Sequence, residues 1–258
     1  MAQDILELPP PRPGARIAYG TSEFQFGHLR VPQGAGPHPV VIVIHGGYWR
    51  AAYSLEHIGH LCQALREKGM ATWSLEYRRV GNPGGGFPGT FEDVLAGVRH
   101  LERIAAAYRL DVKRVAVTGH SAGGQLALYI GLKHPLALRG VVALAPVADL
   151  RRAWELKLSG NVAAELLGGG PADVPERYRA TSPIEMLPAR LPQRLIHGDA
   201  DTVVPIELSR RYDAAAHEHG DDCRLIVLPG AGHFELIDPR TREFAVVHCT
   251  LAELVTEK

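Results

Sequence analysis

Short apolar runs alternate along the chain with longer stretches in which apolar residues recur every three or four positions. The clearest run is residues 40–44, Val-Val-Ile-Val-Ile, which has the length of a strand and contains only β-branched residues. A strand without a polar face must be covered on both sides, as in a parallel sheet. Similar runs predict further strands at residues 70–75, 115–118, 140–145, 194–196 and 224–228.

The stretches between these runs have the periodicity of amphipathic helices. Helices are predicted at residues 54–69, 90–105, 125–134, 206–219 and 241–257. This alternation of strands and helices is typical of a mostly parallel, twisted sheet with helices on both faces. The predicted fold class is therefore α/β.

Two segments depart from the alternation. Residues 22–31 have a period of two, which predicts an edge strand or a hairpin. Residues 147–190 contain a helical piece around residues 154–167, followed by a stretch rich in Gly and Pro. They are predicted to form a short, cap-like insertion over the carboxyl edge of the sheet. No linker divides the chain, so residues 1–258 are predicted to be a single domain.

Composition narrows the functional classes. The chain has 28 basic and 28 acidic residues, and this balance does not favour nucleic acid or an anionic membrane as a partner. No signal peptide is expected at the N-terminus, and no stretch approaches the ~20 apolar residues of a membrane span. Three cysteines without metal-ligand spacing predict reduced thiols, no metal site and a cytoplasmic location.

The most informative motif is Gly-His-Ser-Ala-Gly at residues 119–123, between a predicted strand and a predicted helix. A serine on such a tight turn has a strained backbone, which exposes its hydroxyl at the end of the strand. The residues two before and two after it approach closely, so Gly119 and Gly123 are required. The start of the following helix can stabilise negative charge. The motif therefore predicts that Ser121 is a nucleophile.

Other residues capable of chemistry follow the predicted strands. His45 follows the strand at residues 40–44, Asp201 follows that at 194–196, and His233 follows the last one. Because the carboxyl ends of parallel strands meet at one edge of a sheet, these side chains are expected near the serine. Asp199 follows the same strand as Asp201 and is an alternative acid.

These residues and their order resemble the α/β-hydrolase family over roughly residues 20–255. The family places nucleophile, acid and base in this chain order, and its acid turn and histidine loop resemble residues 197–205 and 230–233. The resemblance implies that His233 takes the proton of Ser121 and that Asp201 orients His233. It favours Asp201 over Asp199, which could instead bond to local backbone in a turn.

The segment His-Gly-Gly-Tyr-Trp at residues 45–49 resembles the family's oxyanion loop. Glycines after a buried strand allow backbone N–H groups to approach a substrate oxygen. The resemblance implies an oxyanion hole formed by Gly46 and Gly47 together with the N–H of Ala122. Tyr48 and Trp49 are predicted to bind substrate, because an aromatic pair could stack on an aryl group.

The same segment is similar to the arylformamidase (kynurenine formamidase) branch, whereas esterases of the hormone-sensitive-lipase branch have His-Gly-Gly-Gly. The resemblance implies hydrolysis of an aryl formamide such as N-formylkynurenine, or of a small carboxylic ester, through an acyl-Ser121 intermediate without a cofactor. A broad short-chain carboxylesterase is the main alternative, ahead of an amidase or peptidase. A non-catalytic receptor on the same fold is a further alternative. The expected partner is a small-molecule substrate, and the edge strand or last helix could support a homodimer.

Overall fold

The computed structural model describes residues 4–256 and contains an eight-stranded sheet. The strands are β1 (Ala15–Ala18), β2 (Phe26–Arg30), β3 (His38–Ile44), β4 (Ala71–Leu75), β5 (Leu110–His120), β6 (Gly140–Leu144), β7 (Gln193–Gly198) and β8 (Cys223–Leu228). Their order in space is β1-β2-β4-β3-β5-β6-β7-β8. The β1–β2 and β2–β4 pairs are antiparallel, and all other pairs are parallel. The mostly parallel sheet is confirmed. Of residues 22–31, predicted as an edge strand or hairpin, only 26–30 form a strand, because its hairpin partner β1 precedes this segment and forms the edge of the sheet.

Helices connect the strands and cover both faces of the sheet. The main ones, after a short α1 (Asp4–Glu7), are α2 (Gly59–Glu67), α3 (Gly89–Ile104), α4 (Ala122–Lys133), α8 (Glu207–Glu218) and α9 (Glu243–Val255). Val41 and Val43 of β3 pack in one core with α2 and α9. Val40, Ile42 and Ile44 pack in the other core with α3, α4 and α8. Burial on both faces explains the continuous apolar sequence of β3, since each such side chain contributes about 1.5–3 kcal/mol when buried.

The segment between β6 and β7 contains three short helices, α5 (Leu150–Glu155), α6 (Val162–Leu167) and α7 (Pro175–Thr181). The single helical piece predicted around residues 154–167 is wrong. Left-handed backbone ends an α-helix, and three residues between α5 and α6 have φ angles of 52°, 45° and 67°: Lys157, Ser159 and Asn161. Trp154 on α5 remains 37% exposed. No helix in the described part of the chain has the length and hydropathy needed to cross a bilayer.

Candidate active site

The predicted strand-turn-helix around Ser121 is present between β5 and α4. Ser121 has φ 59° and ψ −120°, a region that costs a residue with a side chain about 1–3 kcal/mol. A Cβ atom at Gly119 would lie 2.1 Å from the Gly123 carbonyl oxygen, and one at Gly123 would lie 2.2 Å from that of Ile44. Both glycines are therefore required, because β3, β5 and α4 approach each other closely at this turn.

Asp201 and His233 follow β7 and β8 and contact each other, with His233 Nδ1 2.6 Å from Asp201 Oδ2. Asp201 Oδ1 accepts the N–H groups of Val203 and Val204 at 2.8 and 2.9 Å. Burial alone would raise the pKa of Asp201, but hydrogen bonds from His197 and His233 outweigh it and hold this pKa well below its usual range. Asp201 is therefore an ionised, buried carboxylate that orients the His233 ring.

Asp199, the alternative acid, occupies a different position in the same turn. It is exposed, and its Oδ1 accepts the N–H of Gly230 at 2.7 Å. This bond joins the turn after β7 to the loop that precedes His233. Of the two candidate acids, the structure pairs Asp201 with the imidazole.

His197 is a contact of Asp201 to which the sequence reasoning assigned no role. Its ring is completely buried, with Nε2 3.3 Å from Asp201 Oδ2 and 2.9 Å from the Val204 carbonyl oxygen. Its Nδ1 lies 2.8 Å from Ser209 Oγ. The sequence feature that could have indicated this contact is the position of His197, at the end of a buried strand and four residues before Asp201.

Ser121 and His233 line the same pocket, which has a volume of about 110 Å³. The other lining residues are Leu6, Gly47, Tyr48, Tyr53, His57, His120, Val203 and Phe234. Among these described residues there is no Lys, Arg, Asp or Glu, so the wall of the pocket is apolar or neutral. Two larger cavities, with volumes of about 440 and 520 Å³, lie away from Ser121. Chemistry rather than size therefore identifies the candidate site.

Two further histidines of the pocket are held neutral. His120 Nε2 lies 2.9 Å from the His233 carbonyl oxygen, and burial together with nearby His233 lowers the pKa of His120 well below its usual range. His57 Nε2 accepts the N–H of Gly46 at 3.4 Å. Burial, and next the electrostatic influence of the nearby His45 ring, lower the pKa of His57 to about 3. Neither ring can therefore serve as a base that titrates near neutral pH.

The loop after β3 has an unusual backbone. Gly47, Tyr48 and Trp49 have consecutive φ angles of 101°, 53° and 55°. A Cβ atom at Gly47 would lie 2.3 Å from Tyr53 Cβ, so only glycine fits there. Because side chains rarely adopt this region, the loop conformation is imposed by the packing around it.

The N–H of Gly46, which is predicted to contribute to the oxyanion hole, points to His57 Nε2 at a long distance of 3.4 Å. Its place in the oxyanion hole stays a prediction. A Cβ atom at Gly46 would lie 2.7 Å from the His120 carbonyl oxygen, which shows that this glycine serves close packing of the loop against the serine turn. Gly47, which lines the pocket, and Ala122, the first residue of α4, are the other candidate donors.

The BD-FAE family model matches residues 29–215, well over half of the chain. This protein belongs to the BD-FAE family. The matched region includes the loop after β3, the serine turn and Asp201, and it ends before His233.

Relatives of this BD-FAE protein include hydrolases of two kinds. Neutral cholesterol ester hydrolase 1 of Rattus norvegicus is 32% identical over 149 residues, 51% of this chain and 36% of that protein. Kynurenine formamidase of Meyerozyma guilliermondii is 30% identical over 137 residues, 48% of each. The chain thus spans between about a third and a half of the length of these curated relatives.

A solved structure shows the same fold. The truncated form of a carbohydrate esterase from gut microbiota superposes with a TM-score of 0.81 at 23% identity, covering 96% of this chain and 98% of that chain. This likeness confirms the α/β-hydrolase fold predicted for the BD-FAE protein.

Trp49 of the BD-FAE protein is a core residue, and the prediction that it binds substrate is wrong. Its side chain is completely buried, and its Nε1–H donates to Gln125 Oε1 at 3.1 Å. Gln125 Nε2 in turn donates to the Thr181 carbonyl oxygen at 2.9 Å. The backbone turns Trp49 inward and leaves Tyr48 at the pocket. Trp49 therefore joins the loop to α4 and to the end of α7.

We expect Trp49→Phe to lower the free energy of unfolding by about 1–3 kcal/mol, because Gln125 loses a buried donor while most of the ring packing is kept. Urea denaturation measures this loss. Trp73→Phe is the matched control, since Trp73 is equally buried and donates to the Gly97 carbonyl oxygen at 2.9 Å. An unchanged unfolding free energy in Trp49→Phe would contradict the structural role.

His45 supports the same loop in the BD-FAE protein through a second buried pair. Its Nε2 lies 2.9 Å from Glu76 Oε1, and the Tyr77 hydroxyl donates to its carbonyl oxygen at 2.8 Å. Burial tends to raise the pKa of Glu76, but the opposing effects of His45 and Arg79 are larger together. The pKa of this carboxyl is therefore below its usual value. Glu76 Oε2 also accepts the Leu55 N–H at 3.1 Å, which fixes both ends of the loop. Sequence reasoning did not assign Glu76 a role.

Proposed function

We propose that this protein is a serine hydrolase that cleaves small, neutral carboxylic esters. One observation carries the proposal: a strained serine and a histidine bonded to an ionised aspartate line one small pocket. Membership of the BD-FAE family and a relative named as an ester hydrolase support it.

The residues of the pocket can perform both halves of the reaction. Ser121 Oγ attacks the ester carbonyl while His233 takes its proton, and Asp201 stabilises the resulting imidazolium. The N–H groups of Gly47 and Ala122 stabilise the oxyanion. The bond between the acyl carbon and the alcohol oxygen then breaks, and His233 gives its proton to the departing alkoxide, which leaves as the alcohol. Water repeats the sequence on the acyl-enzyme, which releases the carboxylic acid and free Ser121.

The size of the pocket favours a short acyl group. Its volume of about 110 Å³ is bounded by apolar side chains that include Leu6, Val203 and Phe234. An acetyl group fits such a space, whereas a long acyl chain would have to leave it. Short-chain esters are therefore the proposed substrates.

An aryl formamide is the second candidate, and the His-Gly-Gly-Tyr-Trp segment and the fungal kynurenine formamidase favour it. N-formylkynurenine carries an ammonium and a carboxylate, and burying either without a partner is costly. The described residues that line the pocket include no charged acid, lysine or arginine to pair with them. Tyr48 offers an aromatic contact to an aryl group but no charge. The ester is therefore the better match.

The test compares kcat/KM for p-nitrophenyl acetate and for N-formylkynurenine with the same preparation. We expect the ester to be preferred, and a preference for the formamide would reverse the ranking. An organophosphonate should label the protein at Ser121, whereas a receptor without an activated serine would not react. Absence of labelling and of both activities would refute the proposal.

We expect Leu6→Ala to shift the acyl preference toward longer esters, because it removes one wall of the pocket. Each methylene that becomes accommodated is worth about 0.8 kcal/mol, or roughly fourfold in relative kcat/KM. The measurement is the ratio of butyrate to acetate hydrolysis. Leu8→Ala is the control, since Leu8 lines a separate groove beside Glu56 and His60 and does not line the Ser121 pocket. An identical shift in both variants would contradict the role of Leu6.

We expect the fall of kcat/KM at low pH to reflect the uptake of one proton by the enzyme. Uptake of one proton by the Ser121, Asp201, His233 set would remove its base, so activity falls as the pH is lowered. His57 and His120 contribute no second proton in this range, since burial keeps both neutral and the pKa of His57 is about 3. A logarithmic plot against pH should therefore have a limiting slope of one, and a slope of two would show that another histidine titrates.

A further inference from the structure

A second cavity lies at the opposite edge of the sheet from Ser121. It has a volume of about 440 Å³ and is enclosed by residues 11–14, the end of β2 and the last turn of α2. Arg30, at the end of β2, pairs with Thr72 near the start of β4, whereas Ser121 follows the end of β5. The two sites therefore share no wall.

The lining of this cavity is strongly basic. It includes Arg12, Arg30 and Arg66, together with Gln63, and no acidic residue of the described chain contributes to it. None of the three arginines forms an ion pair with a carboxylate among residues 4–256. Three arginines thus line one concave surface, and the Glu67 carboxylate beside it bonds to Gln63 and to none of the three.

Arg30 is the least compensated of the three. The residue is only 6% exposed, and its Nε and Nη1 atoms are buried without a hydrogen-bond partner in the described structure. Its Nη2 reaches the Arg12 carbonyl oxygen at 3.5 Å, and this is a long contact. A buried, unpaired guanidinium is unfavourable, so an anion in the cavity would offset part of this cost through its charge, without contacting Nε or Nη1.

The donors suit an oxyanion. A guanidinium presents a planar fork of N–H groups that matches two oxygens of a phosphate or sulfate. Arg66 uses Nε for the Val31 carbonyl oxygen at 3.1 Å, and Arg12 is exposed at the rim. Gln63 adds a neutral amide, although its Nε2 donates to Glu67 Oε1 at 2.6 Å.

We propose that this cavity binds a phosphate or sulfate group, with Arg30 at its base and Arg12 and Arg66 at its rim. The group can be the free ion or part of a small ester such as a hexose phosphate. The proposal is independent of the chemistry at Ser121, because none of these residues lines that pocket.

The experiment measures thermal unfolding and calorimetric binding at constant ionic strength. The probes are inorganic phosphate, sulfate, glucose 6-phosphate and glucose. Saturable stabilisation by phosphate or sulfate is expected, with none by glucose. Tighter binding of glucose 6-phosphate would identify an ester as the ligand, and equal binding would identify the free ion. No saturable effect of any anion overturns the proposal.

Two variants make the test specific. Arg66→Gln should weaken anion binding about tenfold or more, because a charge-assisted bond is lost. Arg99→Gln is the matched control, since Arg99 is an exposed arginine on α3 outside the cavity. Equal weakening in both variants would show a non-specific ionic effect and refute the site.

Arg30→Met supplies an independent readout. Without anion it should unfold at a higher temperature than the unsubstituted protein, because an uncompensated buried charge is removed, and it should no longer respond to phosphate. If it fails to fold, the Arg66→Gln comparison still decides. Ester hydrolysis should be unchanged in Arg66→Gln, which separates failure of this proposal from failure of the proposed function.

Discussion

Ser121→Ala is expected to lower kcat/KM for p-nitrophenyl acetate by about 10⁴–10⁶-fold. The hydroxyl is the only group of the pocket proposed to form a covalent bond with the substrate, so its loss removes the acyl-enzyme route. Remaining turnover would come from binding and from the N–H groups of Gly47 and Ala122. Retention of more than a hundredth of the activity would contradict the nucleophilic role.

The strained backbone of Ser121 provides a second readout for the same position. Ser121→Gly also lacks the hydroxyl, but glycine adopts positive φ without a steric cost. It should therefore unfold with a free energy about 1–3 kcal/mol higher than Ser121→Ala while being equally inactive. The matched control compares Ser159→Ala with Ser159→Gly, since Ser159 has φ 45°, lies outside the pocket and loses the same bond from Arg50 in both variants.

Asp201→Asn is expected to reduce kcat by about 10⁴-fold with little change in the fold. The amide cannot hold the imidazole in the required tautomer and does not stabilise the imidazolium. Steady-state kinetics with p-nitrophenyl acetate measures the loss.

Asp199→Asn is the matched control for Asp201→Asn, because it makes the same change in the same turn. Asp199 bonds to the Gly230 N–H and not to His233, so its variant should keep activity close to that of the unsubstituted protein. If Asp199→Asn is the more damaging change, the assignment of the acid is wrong.

Features that depend on steric necessity were predictable from the sequence. Gly119 and Gly123 were required by the close approach of backbone segments, and the structure contains those approaches. The strand at residues 40–44 was predictable because a run without a polar position has to be covered on both sides. The order of strand ends then placed Ser121 and His233 at one edge of the sheet.

Features that depend on local backbone direction were not predictable. Tyr48 and Trp49 have the same aromatic character in sequence, yet left-handed φ angles send one to the pocket and the other into the core. Leu6 reaches the pocket from a part of the chain that no periodic pattern connects to it. His57 has no motif around it, and its contacts with Gly46 and with the rings of His45 and His120 arise only from the fold.

The partial exposure of Trp154 has a spectroscopic consequence. The chain has three tryptophans, and Trp49 and Trp73 are completely buried while Trp154 is 37% exposed. A collisional quencher such as acrylamide should therefore act selectively on the emission of Trp154. Because Trp154 also packs close to Gly170, beyond α6, its quenching reports whether the helices between β6 and β7 stay together during turnover. The protein thus carries an intrinsic fluorophore for this segment and needs no introduced label.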